Sequence, residues 1–373
     1  MTGFQFRTTP RVISEAGATA SIGTLLRDRG AAHVGFVTDQ TILDLGLATP
    51  ALDSIHAAGC EVSIVSDIVP DPPEALVHAA VAHLAGCDAI VSVGGGSSLD
   101  VAKLVAVLCA GEQPLSEMYG VDQVTGGRLP LILAPTTAGT GSEVTPISII
   151  TTGEAQKMGV VSPQLLPDVA ILDATLTLGL PRAVTAATGI DAMVHAIEAY
   201  TSRHRKNPLS DALAREALRL LGTNIERVCE IPDDVEARQA MLLGSCLAGM
   251  AFANAPVAAV HALAYPLGGH FHVPHGLSNC LVLPHVLEFN APSAAALYAE
   301  LAPIAFPGGG DLAENFRALA PRIGLSTRLS EVGVGHNHLP MLAEDAMKQT
   351  RLLVNNPRAL TYDDALAIYT AAL

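Results

Sequence analysis

The feature that most constrains the fold of this chain is a long segment, residues 239–287, that contains no Asp, Glu, Lys or Arg but carries a cluster of histidines. A segment this apolar is expected to be buried as core helix. Burying imidazole nitrogens without partners costs on the order of several kcal/mol. The fold must therefore supply partners, and a metal ion is one of them. The histidines of the stretch 261–279 are His261, His270, His272 and His275.

The second part of such a metal site lies earlier in the chain, where Asp191 and His195 are four residues apart. On a helix this spacing places both side chains on one face. We therefore expect Asp191, His195 and His261 to hold one divalent metal together with a further histidine. Spacing alone does not decide which of His270, His272 and His275 completes the set.

A set of three imidazoles and one carboxylate, without a thiolate, suits Fe, Zn, Co or Ni. Four protein ligands in a tetrahedron would make a closed, structural site. A catalytic role therefore requires a fifth position, where an alcohol oxygen can bind and lose its proton before hydride passes to a nicotinamide. In the reverse direction the metal polarises an aldehyde or ketone.

From His33 the chain alternates short apolar runs with helical patterns, which predicts βαβ units and a parallel sheet. We predict helices from the prolines at 70–73 to about residue 85 and over 99–109. Strands are predicted at 34–38, 62–65, 88–93, 129–134, 147–151 and 169–173.

After Pro181 the pattern becomes helical, so we place a domain boundary near Leu180 and Pro181. The predicted domains are an α/β dinucleotide-binding domain over 1–180 and an all-helical metal-binding domain over 181–373. Helices are expected at about 183–201, 208–221 and 235–253, followed by the histidine segment and further helices.

Two small-residue loops follow predicted strands, at 94–98 and 136–142. Bare N–H groups between a strand and a helix attract phosphate, and glycine lets the backbone approach the anion. Asp39 ends the first predicted strand, where a carboxylate can bind a ribose 2′-hydroxyl and repel a 2′-phosphate. This favours NAD over NADP. The alternative is that Asp39 is only a helix N-cap.

Composition narrows the class of protein. The formal net charge is −15, which disfavours nucleic acid as a partner. Hydrophobic residues make up 50% of the chain and charged ones 15%, as in a soluble enzyme. The six cysteines lack a Cys-x-x-Cys pair and the first ten residues lack a signal-peptide core, so we expect reduced thiols and a cytoplasmic location. A membrane span in the charge-free segment is the less favoured alternative, because prolines and histidines interrupt it.

Together these motifs resemble the iron-containing, group III alcohol dehydrogenases. The resemblance is carried by GGGSSLDVAK at 94–103, PTTAGTGSE at 135–143, GIDAMVHAIEA at 189–199 and the histidine stretch 261–279. It implies a dehydroquinate synthase-like architecture with a cleft between an α/β and a helical domain, NAD and Fe²⁺ as cofactors, a small alcohol or aldehyde substrate, and a homodimer or larger homo-oligomer. It places the metal on Asp191, His195, His261 and His275. The implied cofactor contacts are Asp39, Gly94, Gly95, Gly96, Ser97, Thr136, Thr137, Thr140 and Lys157.

The sequence departs from the family pattern at two positions. Tyr265 stands where the family often has a second histidine near the nicotinamide, and a phenol does not shuttle protons near neutrality as an imidazole does. We expect Tyr265 to orient substrate or cofactor. Asp71 stands where an asparagine is frequent, which puts that contact with the adenosine side in doubt.

Other functions on the same architecture fit less well. The maleylacetate reductase pattern lacks the carboxylate ligand that Asp191 supplies, and the zinc polyol dehydrogenases resemble these motifs less closely. A lyase of the dehydroquinate synthase type needs clustered Lys and Arg, in which the metal-binding half is poor. A scaffold protein would not need the four ligands.

Overall fold

The computed structural model describes residues 3–153 and 156–373. Contacts between residues divide the chain into two compact units. The first comprises residues 7–137 and 141–178, and the second comprises residues 179–373 together with 3–6 and 138–140.

The first unit is built on a parallel sheet. The strands of this unit are β1 Val12–Ser14, β2 His33–Val37, β3 Glu61–Val65, β4 Ala89–Gly94, β5 Gly120–Val121, β6 Leu131–Pro135, β7 Ile147–Thr152, β8 Gln156–Val161 and β9 Val169–Leu172. Within the described residues the main sheet has six strands in the order β1-β9-β6-β4-β2-β3, all parallel. Its central strands are buried on both faces, as expected for a parallel sheet covered by helices.

Helices of this unit alternate with the strands, which confirms the predicted α/β class. They are α1 Ile22–Arg27, α2 Gln40–Asp44, α3 Thr49–Ala57, α4 Glu74–His83 and α5 Gly96–Leu108.

Two details of the predicted sheet are wrong. The strand predicted at 147–151 exists as β7, but it pairs antiparallel with β8 in a separate small sheet with β5. The strand before Asp39 is not the first of the sheet, because β1 precedes it along the chain and pairs with β9 at the sheet edge. β1 is only three residues long and partly exposed, so it lacks the apolar run that marks the central strands.

The second unit is helical, as predicted. Its helices are α6 Arg182–Thr201, α7 Pro208–Glu230, α8 Val235–Asn254, α9 Ala259–Phe271, α10 His275–Ala305, α11 Leu312–Ile323, α12 Leu339–Met347, α13 Thr350–Leu353 and α14 Tyr362–Ala372. The core helix α6 is almost entirely buried from Thr185 to Thr201. The charge-free segment does not form one helix, because the chain breaks before α9 and again at His272, whose φ of +54° ends that helix in the left-handed region.

Helix α10 is long and apolar enough to cross a membrane, by length and composition alone, and half of its most apolar stretch is buried. Among the described residues, α8 and α9 are long and apolar enough only when taken together, and they are bent by 107° relative to each other. Core helices of soluble proteins have the same length and composition. Here α10 packs against α6, α7, α9 and α11.

Candidate metal centre and nucleotide-binding residues

Helix α6 presents a row of polar side chains inside an otherwise apolar core. Asp191, His195 and Glu198 follow one another at intervals of four and three residues, which places them on one face. All three are buried. A buried carboxylate or imidazole needs partners, and these side chains find them in α9, α10 and the residue Gly139.

Two more helices supply the remaining histidines of this site. His261 lies in the first turn of α9 and is buried, whereas His275 opens α10 with a side chain that is 42% exposed. The turn at His272 separates the two helices. His270 does not take part, because its Nε2 atom pairs with the carboxylate of Asp345 at an exposed position.

The three histidines converge on one carboxylate oxygen of Asp191. Asp191 Oδ1 lies 3.5 Å from His275 Nε2, 3.6 Å from His261 Nε2 and 3.8 Å from His195 Nε2. Among the described residues, Asp191, His261 and His275 form a group whose ligand atoms all lie within 4.8 Å of one another, and His195 is not part of it. Ligand atoms about 2.1 Å from a tetrahedral metal are about 3.4 Å apart, so the distances from Asp191 Oδ1 to the three Nε2 atoms are close to those around a divalent cation.

In two of the histidines, the ring nitrogen that faces away from Asp191 is oriented by a contact with another part of the protein. His195 Nδ1 faces the carbonyl oxygen of Gly139 at 3.2 Å, and His261 Nδ1 faces the carboxylate of Glu198 at 2.7 Å. In both rings Nδ1 therefore carries the hydrogen that is donated to the protein, and Nε2 is the nitrogen that a bound metal would take. Phe252 stacks on His195 with ring centroids 4.3 Å apart.

Asn279 lies one helical turn after His275 and is fully buried. Its Nδ2 donates to Asp191 Oδ1 at 2.7 Å and lies 3.4 Å from Nε2 of both His261 and His275. Neither Asn279 nor Glu198 was given a role from the sequence. The only available signal was their helical spacing, since each follows a predicted ligand by three or four residues.

The charges of the cluster are strongly coupled. Burial alone would raise the pKa of Asp191, but the neighbouring His195, His275 and His261 hold it well below its usual range. Burial lowers the pKa of His195 to about 3 despite the attraction of Asp191. Burial also acts to lower the pKa of His261, but hydrogen bonds with Asp191 and Glu198 raise it to about 9. A bound cation competes with protons for these same atoms.

In the first unit, predicted cofactor residues lie side by side at the carboxyl ends of three neighbouring strands. Asp39 follows β2, Gly95 and Gly96 follow β4, and Thr136 and Thr137 follow β6. The chain reverses its direction of travel across the sheet between β2 and β4, and nucleotides bind at such switch points.

The glycine loop after β4 is tightly packed against its own helix. Gly95 is the N-cap of α5, so Gly96 and Ser97 lie in its first turn with N–H groups free of intrahelical partners. A Cβ atom on Gly94 would stand 2.6 Å from Ser98 Cβ, which requires glycine there. The N–H of Thr136 donates to the carbonyl of Gly94 at 3.0 Å and joins the two loops.

Asp39 serves as a helix N-cap, since its Oδ1 accepts from the N–H of Ile42 at 3.1 Å. Its Oδ2 lies 3.9 Å from the position that a Cβ on Gly94 would take. The capping role is therefore present, and the second oxygen is directed to the side of the glycine loop.

Two predicted cofactor residues stand apart from this group. Lys157 lies on β8 of the small sheet and pairs with the carboxylate of Asp71 at 2.7 Å. Asp71 has a φ of +52° in the turn before α4. Thr140 belongs to the short segment assigned to the helical unit.

Both halves of the chain match known families. Residues 9–174 match the family described as iron-containing alcohol dehydrogenase, and residues 185–373 match the Fe-containing alcohol dehydrogenase family, C-terminal. The chain belongs to the iron-containing alcohol dehydrogenases. The predicted family and enzyme class, an NAD-dependent dehydrogenase of the iron type, are thereby confirmed.

Relatives within this family cover nearly the whole chain. Long-chain-alcohol dehydrogenase 1 of Geobacillus thermodenitrificans is 39% identical over 370 residues, which is 95% of this chain and 93% of that protein. The structure of a 1,3-propanediol oxidoreductase superposes with a TM-score of 0.95 at 33% identity, covering 100% of both chains. The sulfoacetaldehyde reductase of Bifidobacterium kashiwanohense, solved in complex with NAD⁺, gives 0.92 at 28% identity over 100% of this chain and 99% of that one.

Proposed function

We propose that Asp191, His195, His261 and His275 bind one divalent metal and that this centre catalyses hydride transfer between NAD(H) and a small alcohol or aldehyde. The observation that carries the proposal is the convergence of three Nε2 atoms within 3.8 Å of one carboxylate oxygen. The partly exposed side chain of His275 gives this buried group a side that solvent and substrate can reach.

A bound metal would polarise the oxygen of the alcohol or carbonyl group, which lowers the barrier to hydride transfer. The donor set of one carboxylate and three imidazoles suits Fe²⁺ and admits Zn²⁺, Co²⁺ or Ni²⁺. Asn279 orients the carboxylate of Asp191, and Phe252 holds the ring of His195 in place.

We assign dinucleotide binding to the domain over residues 1–180 and metal binding to the domain over residues 181–373. The pyrophosphate is assigned to the N–H groups that open α5, where the helix dipole favours an anion. Asp39 then faces the adenosine ribose and disfavours NADP. The remaining contacts are assigned to Gly94, Gly95, Gly96, Ser97, Thr136, Thr137, Thr140 and Lys157.

Tyr265 is assigned an orienting role. It follows His261 by one helical turn, and its ring centroid lies 5.8 Å from that of His275. A hydroxyl group beside a metal ligand can hold a substrate or nicotinamide by a hydrogen bond without taking up a proton.

The relatives are named for reactions of alcohols or aldehydes, which supports an alcohol or its aldehyde as the substrate of this enzyme. We further propose a cytoplasmic homodimer or larger homo-oligomer without nucleic acid or membrane partners. The net charge of −15 supports the absence of nucleic acid.

The test compares His275→Ala with His270→Ala in anaerobically purified protein. Metal content and reduction of NAD with a panel of primary alcohols are measured. His275→Ala should lose both metal and activity, whereas His270→Ala, whose imidazole pairs with Asp345, should keep both. Full metal content in His275→Ala contradicts the ligand set, and absence of NAD reduction across the panel by metal-loaded wild type contradicts the activity.

A further inference from the structure

Glu198 is a buried carboxylate whose hydrogen bonds, within the part of the chain that the structure describes, go to one short stretch at the start of α9. Its Oε2 accepts from the N–H of Ala258 at 2.9 Å and from His261 Nδ1 at 2.7 Å, and its Oε1 accepts from the N–H of Val260 at 2.7 Å. A carboxylate with this little exposure is tolerated only when donors surround it. The three donors lie more than fifty residues away in sequence, so this is a specific link between elements.

The link joins the two helices that carry the buried ligands. Glu198 stands on α6 three residues after His195 and seven after Asp191, on the same face as both. His261 stands on α9. One side chain therefore fixes the distance between the first pair of proposed ligands and the third.

The same contact sets the tautomer of His261. A carboxylate is an acceptor only, so the nitrogen that faces it must carry the hydrogen. Nε2, which lies 3.6 Å from Asp191 Oδ1, is then the nitrogen left to bind a metal. His195 is oriented by a neutral carbonyl at the longer distance of 3.2 Å, and a carboxylate makes its imidazole partner more basic than a carbonyl does.

Glu198 also completes the start of α9. The N-cap residue Ala258 has no side chain that can bind the free N–H groups of the first turn. The carboxylate of Glu198 binds two of the backbone N–H groups at this end, those of Ala258 and Val260, where negative charge is favoured by the helix dipole.

We propose that Glu198 is a positioning residue that holds His261 in the orientation and tautomer required for metal binding and thereby sets the affinity for the metal. The proposal rests on the proposed ligand set.

The test is the Zn²⁺ affinity of Glu198→Gln in the full-length protein, measured by competition with a chelator. Glutamine keeps the size of the side chain and one acceptor oxygen, but it replaces the other oxygen by a donor. Loss of a partner of this kind lowers metal affinity by about 10–100-fold. The visible absorption spectrum of the Co²⁺-loaded variant should also change, because the ligand field depends on how His261 is oriented.

Asp173→Asn is the matched control. Asp173 is also a fully buried carboxylate that caps local structure, and its partners are Gly17, Thr19 and Thr175, none of which is a proposed ligand. The Asp173→Asn substitution should lower the melting temperature of the metal-free protein and leave its Zn²⁺ affinity and the spectrum of its Co²⁺-loaded form unchanged. Should Glu198→Gln fail to fold, Glu198→Asp is measured in the same way, with a loss in the same direction.

Wild-type Zn²⁺ affinity and an unchanged Co²⁺ spectrum in the Glu198 variant overturn the proposal. An equal loss of affinity in Asp173→Asn overturns it as well, since the effect is then general destabilisation. His261→Ala separates this inference from the proposed function. Loss of metal in His261→Ala with full affinity in Glu198→Gln removes only the role of Glu198, whereas retained metal in His261→Ala removes the ligand set.

Discussion

Gly276 at the start of α10 lies directly against the backbone of Ala187 on α6: a Cβ atom added at Gly276 would stand 2.0 Å from the Ala187 carbonyl oxygen. Gly276 follows His275, and Ala187 lies one turn before Asp191. This close approach of the two backbones therefore brings His275, the proposed ligand on α10, to Asp191, a proposed ligand on α6.

The first prediction is that Gly276→Ala lowers both stability and metal affinity. Backbone atoms cannot yield to the added methyl group, so overpacking should cost about 1–3 kcal/mol in the free energy of unfolding. The displaced His275 should weaken Zn²⁺ binding by about tenfold or more. Gly269→Ala on α9, where an added Cβ meets nothing within 4 Å, is the control and should lower neither stability nor Zn²⁺ affinity. Unaltered Zn²⁺ affinity in Gly276→Ala would show that the contact does not position His275.

The second prediction separates the two roles of Asp39. Asn is as good an N-cap as Asp, so Asp39→Asn should leave stability within about 0.5 kcal/mol while it removes the negative charge. Its kcat/KM with NADP should rise at least tenfold relative to NAD, which corresponds to about 1.4 kcal/mol. Asp39→Ala should show the same relaxed preference and lose about 1 kcal/mol of stability as well. An unchanged cofactor preference in both variants would restrict Asp39 to capping.

The third prediction concerns acid stability through Asp173. Burial would raise the pKa of this carboxyl group, but hydrogen bonds from Thr175, Thr19 and Gly17 hold it below its usual range. A carboxyl group with a lowered folded-state pKa stabilises the protein above its unfolded pKa of about 3.9, and this contribution is lost as pH falls through the folded pKa. Asp173→Asn should therefore lose about 1–3 kcal/mol at pH 7. In urea unfolding, the difference from wild type should shrink below pH 4, and a constant difference would contradict this account.

The fourth prediction concerns Tyr265. Tyr265→His introduces a group with a reference pKa of about 6.5 beside His275, so a new ionisation should appear in the pH profile of kcat between about pH 6 and 7.5. Tyr265→Phe removes only the hydroxyl group and should raise KM for the alcohol more than it lowers kcat. A pH profile identical to that of wild type in Tyr265→His would place residue 265 outside the reacting groups.

Much of the fold could be predicted from the sequence, because the central strands are short runs rich in β-branched residues and are followed by loops that contain glycine or threonine. The edge strand Val12–Ser14 was missed because it is brief and partly exposed, so neither burial nor alternation marks it. The assignment of residues 147–151 to the parallel sheet failed because a strand pattern carries no information on which partner it pairs with. The antiparallel partner Gln156–Val161 has the same local character.

Spacing and residue type predicted Asp191, His195 and His261 as metal ligands, and the family resemblance added His275, but none of these signals predicted the residues that support them. Glu198 accepts hydrogen bonds from the backbone N–H groups of Ala258 and Val260. No local sequence pattern predicts a hydrogen bond between residues that are sixty or more positions apart in the chain. Phe252 could equally have been core packing or part of the site. Only the fold reveals that it stacks on His195, while Phe271 lies edge-on against His338.

Gly139 contacts α6 on two sides. A Cβ atom added at Gly139 would stand 2.7 Å from Thr188 Cβ, and its carbonyl receives His195 Nδ1. Surface loops usually tolerate substitutions. Position 139 does not, because any side chain there would push the carbonyl away from the imidazole that it orients. Glycine at this position should therefore be as invariant among functional variants of the enzyme as the identity of the proposed metal ligands.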